Sequence, residues 1–72
     1  MKDMKYGIVI ETGERNCSAY VPDLPGCVAT GATVEETRAR IRKAIQMHME
    51  GMREDAEEIP VPSTVCDSVE VA

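Results

Sequence analysis

The chain reads as a single small α+β domain built β-β-β-α-β. Three observations predict it: short β-rich runs broken by turn residues, one long amphipathic helix opened by a capping motif, and a closing valine alternation. The 72 residues fit one domain, 1–72, with no room for a second core. Residues 5–11 (KYGIVIE) form the first strand, with Tyr6, Ile8 and Ile10 on one face. Residues 12–16 carry Gly13 and Asn16, as a hairpin loop does. Residues 17–21 return as the second strand, Cys17, Ala19 and Val21 alternating against Ser18 and Tyr20. In the stretch 22–26, Pro22 and Pro25 lack an N–H and Gly26 allows positive φ, so no ladder crosses it. Residues 27–30 make a short third strand ending at Gly31.

Thr33 and Glu36 are spaced as a capping box, and Glu35 and Glu36 stand where the helix dipole favours negative charge. From Val34 onward, Thr37, Ile41, Ala44, Ile45, His48 and Met52 fall on one stripe, which predicts a helix to about Asp55, weakened at Gly51. The prolines at 60 and 62 end it. Residues 64–71 (TVCDSVEV) then read as a fourth strand, with Val65, Val69 and Val71 inward and Asp67 among them. A right-handed crossover brings that strand back parallel to the first, giving a mixed four-stranded sheet of order 3-2-1-4 with the helix on one face.

Composition narrows the function. A net charge of −5 and a pI near 4.7 repel phosphate backbones, so direct nucleic-acid binding is not expected. An acidic surface suits a basic protein partner, which it steers in and selects. Cys17, Cys27 and Cys66 match neither a disulfide framework nor a zinc spacing and read as small buried hydrophobes of a reducing compartment. The opening residues do not make a signal peptide, and no apolar run approaches a membrane span, so the expected location is the cytoplasm. With aromatics at 3% and neither Trp nor Phe, the core rests on aliphatic side chains. So small a core favours self-association, as a homodimer or homotetramer.

The segment 20–31 (YVPDLPGCVATG), followed by Thr33, Val34, Glu35 and Glu36, resembles the signature of HicB-type antitoxins. Ala44, Ile45 and His48 resemble that family's helix, and 59–63 (IPVPS) resembles its exit from the helix. The likeness covers nearly the whole chain. It implies a partial ribonuclease-H-like fold and the antitoxin half of a two-component system, whose partner is a small basic HicA-type ribonuclease. Longer members carry a C-terminal DNA-binding domain; none is expected within these residues. Ala32 stands where the family often has a polar residue.

Each feature also has a plain structural reading. The stretch 22–27 serves as a rigid turn or as a partner-binding loop; in the second case Tyr20, Asp23, Leu24 and Pro25 are the expected contacts, with Leu24 an exposed apolar tip. His48 sits on the apolar stripe without a paired nucleophile, which marks a packed histidine rather than a base. Met47, off the stripe, suits an oligomer contact. Ribonuclease-H enzymes cleave with two metals held by converging carboxylates. The first strand offers only Glu11, at its far end, and Glu54, Asp55, Glu57 and Glu58 read as a solvated cluster. No enzyme activity, metal or cofactor is therefore expected. The sequence reads as an antitoxin-like protein that silences its toxin by steric occlusion. The alternative is a stand-alone homo-oligomeric scaffold or interaction module with no toxin.

Overall fold

The computed structural model describes residues 4–72. Three strands, β1 (Val9–Thr12), β2 (Cys17–Tyr20) and β3 (Val28–Gly31), are followed by one 21-residue helix, α1 (Val34–Glu54). The strands form an antiparallel meander of order β1-β2-β3. Its register sets Ile10 opposite Ala19 and Tyr20 opposite Val28. Along β2 the alternation holds, with Cys17 and Ala19 buried and Ser18 and Tyr20 exposed. The same face carries Tyr6, Ile8 and Ile10, which pack on a core of Ala19, Val21, Leu24, Cys27 and Ile41.

The helix starts as its cap dictates. Thr33 Oγ1 accepts from the Glu36 N–H at 3.1 Å, which removes one unpaired donor of the first turn. Only that half of the box forms; the Glu36 carboxylate turns forward to Arg40, 2.7 Å away. Arg40 also donates to the Thr30 carbonyl at 3.0 Å, tying the first turns to β3. Thr37 is fully buried and gives its hydroxyl to the Thr33 carbonyl at 2.7 Å. Gly31 leaves room for it, since a Cβ there would stand 2.6 Å from Thr37 Oγ1 and 2.9 Å from the Thr37 backbone nitrogen.

Helix α1 runs through Gly51 and ends in a Schellman motif. Glu57 donates to the Met52 carbonyl at 2.8 Å and Ala56 to Arg53 at 3.1 Å. Ala56 takes the left-handed position at φ 55°, where glycine normally sits because its missing Cβ removes the clash.

The expected fourth strand does not form. Residues 64–71 pair with no strand, and Val65, Val69 and Val71, expected to face inward, are about 85% exposed. Cys66, expected to be buried like Cys17 and Cys27, is exposed as well. Immediately upstream, Ser63 and Thr64 are captured by Asp23. A Cβ on Gly7 would meet Cys66 Sγ at 2.9 Å and Thr64 Cγ2 at 3.1 Å, so residues 64 and 66 pack beside the stretch that leads into β1. The molecule is accordingly elongated, with a radius of gyration of 13.6 Å against about 11 Å for a compact chain of this length.

Candidate partner-binding surface

Two proline-containing stretches far apart in the sequence meet at one carboxylate. The turn 21–27 is wound tight by its own backbone. Leu24 donates to the Val21 carbonyl and Cys27 to the Leu24 carbonyl, each at 3.1 Å, and Val21 closes the loop onto Cys27 at 3.2 Å. The second of these turns has Pro25 and then Gly26 at φ 85°, the pairing a type II turn requires. Asp23, at the outer corner, accepts four hydrogen bonds. Ser63 and Thr64 give their N–H groups to Oδ2, both at 3.1 Å, and their hydroxyls to Oδ1 at 2.9 and 3.0 Å. These bonds, those from the Ser63 and Thr64 backbone first, hold the Asp23 carboxyl below the usual carboxylate range. Beside it the Tyr6 hydroxyl donates to the Pro60 carbonyl. Burial, and next the Asp23 charge, push the Tyr6 phenol above its ordinary value.

This geometry divides the four expected contact residues. Leu24 is not an exposed tip. It is fully buried, because the two successive turns fold its side chain under the sheet into the cluster with Ile41. Asp23 is occupied by the chain's own 63–64 segment. Pro25 is exposed on the turn, and Tyr20 stands on the outer face of the sheet at 44% exposure. Directly across from Tyr20, Val28 is 65% exposed. Sequence reasoning missed Val28, although period-two alternation through Cys27 puts it on the outer face with Tyr20. Ser18 and Thr30, also paired and exposed, flank them. The sheet thus presents an uncovered face with an aromatic–valine pair at its centre.

Between the stretch leading into β1 and helix α1 lies an open groove of about 720 Å³. Ile8, Ile41 and Ile45 line it, and Lys5, Arg38, Arg42 and Arg53 ring it. Half of the chain's eight basic side chains therefore gather at this one place, and no acidic residue lines it. His48 is half-buried on α1, and Met47 is exposed. Among the described residues, no three His, Cys, Asp or Glu side chains stand together as a metal site would need. None of the described helices is long and apolar enough to cross a membrane.

The joining of the stretches around Asp23 and Ser63 gives physical meaning to a family likeness that spans both. Residues 6–71 match the model of the HicB-like antitoxins of bacterial toxin–antitoxin systems. The chain belongs to that family. Among its relatives is an uncharacterized 14.9 kDa protein of Haemophilus phage HP1, 44% identical over 79% of this chain and 43% of its own length. Antitoxin HicB 2 of Photorhabdus laumondii is 35% identical over 88% of this chain and 45% of its own length. A UPF0150 protein of Thermoplasma acidophilum is 36% identical over 79% and 84% respectively. This HicB-like chain spans less than half the length of the first two and most of the third.

Proposed function

We propose that this HicB-like protein is the antitoxin of a pair, a non-catalytic cytoplasmic protein that binds a small basic HicA-type ribonuclease and silences it by covering its active surface. The family match over residues 6–71 carries the reading. The net charge of −5 supports it, since an acidic body accelerates encounter with a basic enzyme and disfavours other partners. The contact surface on this reading is the outer sheet face, with Tyr20 and Val28 at its centre and Pro25 at its edge. Asp23 and Leu24 act behind it, as the clasp and the plug that hold the turn in shape. An interface of about 800 Å² per partner is what a stable complex needs.

The test is inhibition. The small basic protein encoded beside this one is purified and its cleavage of RNA measured with increasing antitoxin. Stoichiometric inhibition that weakens with salt is expected, and Tyr20→Asp combined with Val28→Asp abolishes it while the helix signal in circular dichroism persists. Undiminished cleavage at a large excess of intact antitoxin overturns the proposal. A stand-alone homo-oligomeric scaffold is the second reading, favoured by the exposed valines at 65, 69 and 71. It predicts self-association with no inhibition.

A further inference from the structure

The groove beside α1 has the opposite charge to the chain that forms it. Lys5, Arg38, Arg42 and Arg53 line it, and all four are exposed. Among the described residues none of them makes a salt bridge; Arg40, outside the groove, is the arginine that pairs with Glu36. No acidic residue lines the groove, although the chain as a whole carries −5. A basic partner drawn to the acidic body is repelled from this place.

The helix gives the groove its shape. Every α1 residue that lines it falls on one of two rows spaced four apart. Arg38, Arg42 and Gln46 make the first row, and Ile41, Ile45, Met49 and Arg53 make the second. Rows of this spacing are the ridges of an α-helix, and the trough between two of them takes the ridge of another helix. From 38 to 53 the trough runs about 22 Å at the helical rise, the length of a helix of about 15 residues. The second ridge is apolar over three residues, with Ile41 buried and Ile45 and Met49 half-buried. The first begins with two arginines. A phosphate backbone would leave the apolar ridge unused and meet the net negative charge. A small molecule needs enclosure on most sides, and this groove is open.

We propose that the groove docks an acidic amphipathic helix of another protein. The apolar stripe of that helix packs along Ile41, Ile45 and Met49. Its carboxylates, on the edge beside the stripe, meet Arg38 and Arg42, with Arg53 at the end of the row. Met49, unbranched and adaptable, accepts apolar side chains of different shape, so the carboxylate pattern carries the selectivity. The antitoxin proposal uses the outer sheet face and a basic partner, so either proposal can fail alone.

The probe is a synthetic, fluorescently labelled peptide of about 15 residues, with Leu forming one helical stripe and Glu along one edge of it. It is titrated with the full chain and read by anisotropy, while NMR follows the backbone amides of the chain. Micromolar binding is expected, with amide shifts concentrated at residues 4–8 and 38–53. Arg38→Glu with Arg42→Glu should weaken it by about tenfold or more at unchanged helicity. The same peptide with Lys in place of Glu should bind that variant more tightly than it binds the native chain. Arg15→Glu with Lys43→Glu, the same change of charge away from the groove, should cost less than about threefold. No binding at millimolar chain overturns the proposal. Equal binding of a scrambled peptide, or equal loss from the two pairs of variants, overturns it by reducing the effect to net charge. Tighter binding of phosphatidylglycerol vesicles or of a single-stranded RNA through the same arginines overturns it too. So do nuclear Overhauser contacts from Val65, Val69 or Val71 to Ile45 in the free chain, which would show the groove filled from within.

Discussion

The turn 21–27 and the segment 64–71 invert the expectations placed on them. The first has two prolines and a glycine, the look of a surface loop, yet it puts Val21, Leu24 and Cys27 into the core. The second has β-branched residues in strand alternation, the look of an inner strand, yet its valines lie in solvent. The difference is backbone satisfaction. The turn closes three hydrogen bonds within itself and can therefore be buried at little cost. The segment makes its anchoring bonds at Ser63 and Thr64, and beyond Thr64 it needs a neighbouring strand for its N–H and C=O groups.

Substitutions test this contrast, and the largest effect belongs to the turn. Leu24→Ala removes a fully buried side chain and should lower unfolding free energy by about 3 kcal/mol in denaturant titration. A loss under about 1 kcal/mol would mean that the turn is not part of the core. Gly26→Ala meets nothing within 4 Å, so its cost is the φ of 85° alone, about 1 to 2 kcal/mol. At the root of the other region, Ala56→Gly should raise stability by up to about 1 kcal/mol, because it relieves a left-handed alanine in the Schellman motif.

Asp23 joins the two regions, and acid should part them. Its pKa is lowered by folding, so its contribution is complete above the ordinary carboxylate value of about 4. That contribution fades as pH falls through the lower folded value. The Ser63 and Thr64 amides, protected at neutral pH relative to their intrinsic exchange rates, should lose that protection below this window. Asp23→Ala should abolish it at every pH. The smallest effect is expected from Val65, Val69 and Val71 changed together to Ser. Measured dilute enough for a monomer, stability should stay within about 0.5 kcal/mol, since solvent already surrounds all three. A large loss would place them inside the monomer after all.

Much of this was legible beforehand, because it is local. The order of three strands and a helix, the Thr33 cap and the alternation of Cys17, Ala19 and Val21 arise from periodicity and side-chain chemistry within a few residues. So does the positive φ at Gly26. The outer-face position of Tyr20 was legible for the same reason, and Val28 could have been. Asp23 stood out in the sequence as a candidate contact, but its hydrogen-bond partners lie forty residues away, and no spacing rule connects them. The burial of Leu24 was hidden because a leucine between Asp and Pro has no periodicity to place it.

Strand pairing marks the boundary between the two kinds of knowledge. The amino-acid sequence determined by itself that residues 65–71 are strand-like and that β1 is apolar, since both are properties of alternation and β-branched side chains. Which edge the segment meets is a question of where its base is anchored. Only the tertiary structure decided where that base is, by fastening Ser63 and Thr64 to Asp23 and setting Thr64 and Cys66 beside Gly7. A hydrogen-bonding edge carries no address. It pairs with whatever strand the rest of the fold brings within reach.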